Sequence, residues 1–243
     1  MISKNRLKDL AAYRMQKRCD EEGVFVVEGP KMAAEAMASG FTIRVVCATS
    51  EWKAESGEWK EYCEVSEAEL ERLSNMKTPN QVWMLVERGD NASFPTTQSP
   101  LVLALDRIQD PGNMGTMMRT ADWYGIRHIV CSKDTVSCYN PKVVQASMGA
   151  VFRTRVDYVD LPQWLAGCAM PVYGASLQGK PVGETRRSDG AAVLLIGNES
   201  RGISPEAMAQ VTHPVLIPNI GGTAESLNAS VAAGILIDRL WNN

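Results

Sequence analysis

The chain has 243 residues, with 25 Lys and Arg against 28 Asp and Glu, and it is 45% hydrophobic and 22% charged. This composition is that of a globular protein, and the length allows one large domain or two modest ones, each with its own core. A fibrous or peptide-sized protein is excluded, and because no apolar run approaches about 18 residues, no membrane span is expected.

The sequence carries no targeting signal or metal-binding pattern that we recognise. The amino terminus has no apolar stretch between its charges, so a cytoplasmic protein is predicted. The six cysteines are scattered without a CxxC pair, so neither disulfides nor a metal site is expected. His128 and His213 each open an apolar run and are interpreted as residues at strand starts rather than as metal ligands or catalytic bases.

Positive charge is concentrated at the amino terminus, where residues 1–18 carry six basic side chains against Asp9 alone, although the net charge of the chain is -3. Two interpretations stay open: a basic face that contacts nucleic-acid phosphates, or a helix whose charges merely face water. The candidates for phosphate contact are Lys4, Arg6, Arg14, Lys17 and Arg18.

Residues 22–86 alternate short apolar runs with helical patterns, which predicts a small α/β unit. The helix that begins at Ser66 has Ser66 as N-cap and Glu69 in the capping-box position. Residues 89–100 are polar and rich in turn formers, which predicts a linker. The predicted strands are 24–29, 43–49 and 82–87, and the predicted helices are 31–38 and 66–75.

From residue 101 onward, short apolar strands alternate with helices, which predicts a parallel sheet covered on both faces. Ligands of such sheets bind at the carboxyl ends of the strands. The predicted strands are Leu101–Leu105, His128–Cys131, Val156–Val159, Val172–Ala175, Ala192–Ile196 and Pro214–Ile217, and the helices lie near 114–124, 140–150, 205–211 and 226–240.

Two nucleotide-binding patterns fail on inspection. The segment Gly174–Lys180 has the glycines and lysine of a P-loop, but Pro181 replaces the hydroxyl residue that holds magnesium, and no helix is predicted to follow. The GxGxxG fingerprint is also absent, because the first strand-to-helix turn has glycines at Gly112 and Gly115 only. A P-loop enzyme is therefore disfavoured. If the protein were such an enzyme, ATP with magnesium would bind it and raise its thermal unfolding temperature.

Three loops that follow strands concentrate polar and small residues. In the first, Asn113 is expected to cap a helix, and Arg119 either points to the strand ends or pairs with Asp122 on the surface. The second brings Gly197–Gly202 to the rim directly after a buried strand. The third, from Pro218, makes a tight glycine turn and enters a helix of small residues.

Together the motifs NxGxxxRTA, IGNExxG, and IP followed by G and ESLNxSVAAG resemble those of the SpoU family of RNA ribose 2'-O-methyltransferases, also called the TrmH family, within the SPOUT superfamily. The resemblance covers residues 101–240. The stretch FVVEGPKMAAEAMASGFTI is similar to the small RNA-binding domain that often precedes the catalytic domain. One departure is the Pro218 loop, which has an extra residue if Gly222 is the counterpart of the family's glycine.

The resemblance implies an α/β architecture: a parallel-sheet SPOUT domain with a deep trefoil knot at 101–243, a linker at 89–100, and an L30e-like RNA substrate-binding domain at 1–88. It also implies S-adenosylmethionine as cofactor, structured tRNA or rRNA as partner, and a homodimer. The catalytic set then falls on Asn113, Arg119, Glu199, Ser226 and Asn228, and the cofactor-binding set on Ser176, Leu195, Gly197, Asn198, Ile217 and Leu227.

In this interpretation Arg119 orients the ribose and stabilises charge, because a guanidinium is a very weak acid and gives up its proton reluctantly. The alternative is a catalytically silent RNA-binding or assembly factor on the same scaffold. Intact Asn113, Arg119, Glu199 and Asn228 count against that alternative.

Overall fold

The computed structural model describes residues 2–52, 59–89, 100–187 and 189–242. Residues 90–99 of the predicted linker lie outside the described residues. The chain divides into two compact units, one from Met1–Phe94 with Tyr139–Arg153 and the other from Pro95–Cys138 with Thr154–Asn243. The segment that follows Cys138 therefore packs with the amino-terminal unit, although it lies between strands of the second unit in sequence.

The first unit is built on a four-stranded mixed sheet in the order β1-β4-β2-β3. β1 and β2 both pair antiparallel with β4, and β3 pairs parallel with β2. Ser66 caps α4 with the predicted reciprocal bond to Glu69. The strands are β1 Val24–Glu28, β2 Ile43–Ala48, β3 Glu61–Glu64 and β4 Val82–Glu87, and the helices are α1 Lys4–Ala11, α2 Gln16–Glu22, α3 Pro30–Ala38, α4 Glu67–Leu73 and α6 Pro141–Ser147.

The basic amino terminus is an integral part of this unit. Leu7 and Leu10 of α1 and Tyr13 after it are buried in the same core as Trp83 of β4. The unit also contains β3, which has no apolar run and half-exposed side chains, so its sequence offered no signal for a strand.

The second unit contains a six-stranded sheet in the order β10-β8-β9-β5-β6-β7. Every neighbouring pair is parallel, which confirms the predicted parallel α/β sheet. His128 and His213 begin strands, as predicted. The strands are β5 Leu101–Leu105, β6 His128–Ser132, β7 Arg155–Val159, β8 Val172–Pro181, β9 Ala192–Ile196 and β10 His213–Leu216, and the helices are α5 Pro111–Trp123, α7 Leu161–Ala166, α8 Pro205–Met208 and α9 Ala229–Trp241.

The prediction that Asn113 caps α5 is wrong. The side chain of Asp110 is the cap, accepting a hydrogen bond from the Asn113 amide N–H at 2.7 Å, and Pro111 occupies the first turn. Proline fits the first helical position because its missing N–H would have no partner there. The helix therefore begins before Asn113, and the Asn113 side chain is free for another role.

The structure agrees with the sequence analysis in disfavouring a P-loop. Gly174–Lys180 lies within β8, and a short 3-10 turn at Val182–Glu184 follows instead of a helix. The pairing of β8 with β10 is interrupted here, because Pro214 pairs with Gly174 and the next residue, Val215, pairs with Lys180. Among the described residues, no helix is long and apolar enough to cross a membrane.

Candidate active site

The two central strands of the second unit bring the first two loops together. β5 and β9 are fully buried and pair in register, with Leu105 opposite Ile196 at their carboxyl ends. The loops after these strands therefore start side by side at one edge of the sheet. This is the edge where a ligand of a parallel α/β sheet binds.

The loop after β9 is a tight turn held by Asn198. Its backbone exchanges hydrogen bonds with Gly202 at 3.0 and 2.9 Å. Its side-chain oxygen accepts from the amides of Ser200 and Arg201, and its side-chain nitrogen donates to the carbonyl of Arg107 at 2.8 Å. The amide of Asn198 thus fixes the shape of this loop and joins it to the loop after β5.

The loop after β10 is open. Every residue from Pro218 to Leu227 is exposed, and Ile220 is 96% exposed. Asn219 shapes the loop, accepting from the Gly222 amide at 2.7 Å and donating to the Gly222 carbonyl at 3.0 Å. Gly221 has a φ of 93°, a conformation that favours glycine.

A chain of side-chain hydrogen bonds connects all three loops. Asn228 caps α9, and its Oδ1 accepts from the amides of Ser230 and Val231. Its Nδ2 therefore faces Asn113 and donates to Asn113 Oδ1 at 2.9 Å. Asn113 Nδ2 in turn donates to Glu199 Oε1 at 2.7 Å.

The donor-to-acceptor direction of these hydrogen bonds is determined at both ends of the series. The free N–H groups at the start of α9 require an acceptor, and an ionised Glu199 can only accept. Both amides are thereby oriented without ambiguity. Asn113 is 8% exposed, whereas Glu199 is exposed, so a buried amide holds a carboxylate at the surface of the site.

Arg119 and Ser226 are exposed and stand outside this chain. Among the described residues, the guanidinium of Arg119 has no hydrogen bond or ion pair. The carboxylate of Asp122, the surface partner considered for Arg119, pairs with Arg127 instead. Arg119 is therefore available to a ligand.

The candidate cofactor residues lie on the loops and strands around this edge. Leu195 is fully buried in β9 and can offer only its backbone, whereas Leu227 is 49% exposed beside the cap of α9. Ser176 lies in the unpaired part of β8, where its hydroxyl accepts from the Gln178 amide at 3.2 Å. Gly197 follows β9, and Ile217 follows β10.

These surroundings suit an adenosine held by main-chain groups. In the described part of the chain, the backbone of Pro218–Leu227 makes hydrogen bonds only with the side chain of Asn219. The remaining exposed N–H and C=O groups are available to the edge of a base. In the described residues, no group of three or more His, Cys, Asp or Glu side chains is placed to hold a metal ion.

Gly197 should not tolerate a side chain. A Cβ built at Gly197 would lie 2.2 Å from both Gly202 C and Ile203 N, which are backbone atoms of its own turn. We expect Gly197→Ala to lower the free energy of unfolding by about 1–3 kcal/mol through overpacking, and to weaken binding of S-adenosylmethionine. Thermal unfolding and calorimetric titration measure the two effects.

The matched control is Gly183→Ala, because a Cβ there meets nothing within 4 Å. Equal stability and cofactor affinity for the two variants would contradict the role given to the tight turn.

The basic residues proposed for RNA contact are partly neutralised within their own unit. Arg6 binds Glu61 through two hydrogen bonds and also pairs with Asp9. Arg18 pairs with Glu22 at 2.6 Å, and Lys17 lies 3.9 Å from Glu21. Of the five candidates, Lys4 and Arg14 are exposed and, among the described residues, have no carboxylate partner.

Two residues that organise the edge of the sheet at the carboxyl ends of β5 and β9 were not identified from the sequence. Asp106 is 2% exposed, and its Oδ2 accepts from the Ser204 amide at 2.6 Å. Arg107 has a φ of 59°, its amide donates to Ser132 Oγ, and its Nε is buried without a hydrogen bond among the described residues. The Asp-Arg pair directly after a buried strand was the available signal.

Two protein-family models match this chain. Residues 100–238 match the model of the SpoU rRNA Methylase family, and residues 4–83 match the MRM3-like substrate binding domain. The chain belongs to the SpoU methylase family. The predicted family, its activity as an S-adenosylmethionine-dependent RNA 2'-O-methyltransferase, and its cofactor are confirmed.

Relatives match this SpoU protein over nearly its whole length. The 23S rRNA (guanosine(2553)-2'-O)-methyltransferase RlmP of Bacillus subtilis is 30% identical over 241 residues, covering 97% of this chain and 95% of the relative. A structure described as an RNA methyltransferase of the TrmH family from Porphyromonas gingivalis has a TM-score of 0.85 at 35% identity, covering 98% of both chains. An AdoMet-bound rRNA methyltransferase from Sinorhizobium meliloti has a TM-score of 0.82 at 26% identity, covering 98% of this chain and 95% of that one.

Proposed function

We propose that this RNA 2'-O-methyltransferase modifies a ribose of large-subunit ribosomal RNA, in the cytoplasm and as a homodimer, with the loops after β5, β9 and β10 as its active site. The hydrogen-bond chain Glu199–Asn113–Asn228 carries the proposal. It joins one residue from each of the three family motifs. The named substrate of the Bacillus subtilis relative, 23S rRNA, supports the choice of RNA.

The cofactor supplies an electrophilic methyl group, and this chain positions the acceptor and manages its charge. Exposed main-chain groups of Pro218–Leu227 hold the adenosine, while Asn228 anchors the end of that loop to α9. Glu199 presents its second carboxylate oxygen at the rim, where it accepts a hydrogen bond from the target nucleotide or from Arg119. Orientation of this kind supplies a large part of the acceleration in a transfer between two bound groups.

Arg119 is the cation available to the reaction. Its guanidinium is exposed and, among the described residues, unpaired. It binds the phosphate beside the target ribose and stabilises the negative charge that develops on the 2'-oxygen as the hydroxyl proton passes to solvent and the oxygen takes the methyl group. Ser226, on the exposed loop before α9, completes the set by contacting the cofactor.

The homodimer is supported by apolar side chains on the two helices that carry catalytic residues. α5 and α9 pack closely, with Tyr124 donating to Asp238 at 2.9 Å. On their outer surfaces Trp123 is 86% exposed and Val231 is 50% exposed. A second copy of the chain would cover these side chains and bring a new group to the unpaired Arg119.

The knot and the domain boundaries belong to the same proposal. A Cβ at Gly179 would lie 2.6 Å from backbone atoms of Pro214 and Val215. The main chains of β8 and β10 are therefore in contact where their pairing is interrupted, and this is where we propose that the chain threads. Residues 1–88 act as an L30e-like RNA-binding domain, 89–100 as a linker, and 101–243 as the catalytic domain, except that Tyr139–Arg153 of the last range packs with the first unit.

The first test is methyl transfer. We expect the purified protein to transfer label from S-adenosylmethionine to an unmodified large-subunit rRNA transcript, with the label recovered in a 2'-O-methyl nucleoside after nuclease digestion. Label in a tRNA pool alone would contradict the choice of RNA. Cofactor binding without label in any RNA would favour the silent-scaffold alternative.

A further inference from the structure

The amino-terminal unit contains a buried carboxylate that the reaction does not use. Glu28, at the end of β1, is 5% exposed. Burial raises the pKa of Glu28, and the hydrogen bonds from the Ser74 hydroxyl and the Asn75 amide, with the charge of Arg14, oppose that shift. The carboxylate thus fixes the start of the loop after α4.

The same residue binds a third segment through its backbone. The side chain of Gln145 in α6 donates to the Glu28 carbonyl at 2.7 Å. The 3-10 turn that ends in Arg14 packs against β1, and the following Gly29 opens α3 with a φ of 87°. Glu28 is therefore the point at which four segments of this unit converge.

These segments present cations that make no ion pair in the described part of the chain. Arg14, Lys31 and Lys77 are exposed, and among the described residues none has a carboxylate within ion-pair distance. Lys31 lies three residues after Glu28, and Lys77 lies two residues after Asn75. By contrast, Arg6, Arg18 and Arg44 of the same unit all pair with glutamates.

Exposed methionines accompany the cations. Among the described residues of this unit, four large hydrophobic side chains are exposed: Met15, Tyr62, Met76 and Met148. Met15 and Met76 adjoin Arg14 and Lys77, and Met148 caps α6 one turn after Gln145. Flexible, polarisable methionine side chains adapt to flat partners, and unstacked bases are such partners.

We propose that Arg14, Met15, Lys31, Met76, Lys77 and Met148 form the surface by which this unit grips RNA, here called the Glu28 surface. The inference rests on the proposed function, and it locates the RNA contact. The cations bind phosphates, the methionines contact splayed bases, and Glu28 keeps the segments in place. Arg6, Lys17 and Arg18 of the basic amino terminus form ion pairs within the unit instead.

The test compares two triple variants of the full-length protein that remove the same charge. Arg14→Gln, Lys31→Gln and Lys77→Gln alter the Glu28 surface. Lys8→Gln, Lys60→Gln and Arg72→Gln alter three other exposed cations of the same unit. Among the described residues Lys8 and Arg72 are unpaired, and Lys60 pairs with Glu87 at 2.8 Å. Binding to the large-subunit rRNA transcript is measured across a salt series, together with kcat and KM for methyl transfer.

We expect the first triple to weaken RNA binding about tenfold or more near physiological salt and to reduce the slope of log K against log salt by about 2, because three phosphate contacts are lost. KM for RNA should rise with kcat unchanged. The control triple should change affinity less than about twofold. Thermal unfolding should be nearly equal for all three proteins, since the altered side chains are exposed and Arg14 lies beyond ion-pair distance of the Glu28 carboxylate.

Equal losses in the two triples would overturn the Glu28 surface and favour non-specific attraction to the whole unit. Unchanged binding in the first triple would overturn it as well. In both cases methyl transfer by the unaltered protein would leave the proposed function standing. If the unaltered protein transfers no methyl group to the transcript, the choice of substrate fails first, and the surface fails with it.

Discussion

Arg119→Ala is expected to reduce methyl transfer by about 10²–10³-fold, while binding of S-adenosylmethionine stays unchanged. Arg119 is exposed and, in the described part of the chain, makes no ion pair, so its removal costs little stability. What is lost is the cation that orients the phosphate and stabilises the oxyanion of the acceptor. Single-turnover rates with labelled cofactor measure the loss, and calorimetry measures cofactor affinity.

Arg119→Lys is the matched control for charge alone. A lysine keeps the positive charge but not the planar fork that binds a phosphate with two parallel hydrogen bonds. We expect it to recover only part of the rate. Near-normal transfer by Arg119→Ala would remove Arg119 from the mechanism, and a parallel loss of cofactor affinity would place it in the cofactor site instead.

The parts of this fold that follow from local pattern were predictable. β5 and β9 occupy the predicted residues, Leu101–Leu105 and Ala192–Ile196, because five consecutive apolar side chains suit a strand buried on both faces. The adjacency of their loops then follows from parallel pairing. The first turn of α5 and the loop after β9 both follow these strands, and a 2.7 Å hydrogen bond joins Asn113 to Glu199 there.

Features that depend on distant packing were not predictable. α1 buries Leu7 and Leu10 against strands more than ten residues away in sequence, yet its composition is that of a solvated basic helix. The alternation of strands and helices in the sequence likewise gives no indication that α6 packs in the first unit.

The α5 cap was missed for a different reason. Asp110 and Asn113 both suit an N-cap, and only Pro111 distinguishes them. That local signal was present in the sequence, and it releases the Asn113 side chain for the catalytic edge.

Asn113→Asp is expected to lower methyl transfer by at least about 100-fold at neutral pH, through misplacement of the site. Asn113 Nδ2 donates to Glu199 Oε1 at 2.7 Å, so the substitution sets two carboxylates against each other. Such a pair cannot be fully ionised, and one pKa rises. When a proton is bound, the introduced O–H donates to Glu199 and its carbonyl accepts from Asn228, which restores the original pattern.

The sign of the pH dependence follows from this raised pKa. Relative to the unaltered protein, both the transfer rate and the free energy of unfolding of Asn113→Asp should increase as pH falls and decrease as pH rises, because the folded state favours the shared proton. Asn113→Ala adds no titrating group, so its rate relative to the unaltered protein should not vary with pH. Rate profiles and thermal unfolding between pH 5 and 9 measure both effects.

Combining Asn113→Asp with Glu199→Gln separates repulsion from the role of Glu199 itself. In the double variant the introduced carboxylate accepts from both amides, so the pH dependence of stability should disappear. Methyl transfer should stay low, because Glu199 no longer offers a carboxylate at the rim. Recovery of transfer would show that Glu199 serves only to hold Asn113, and persistence of the pH dependence would show that the two side chains do not share a proton.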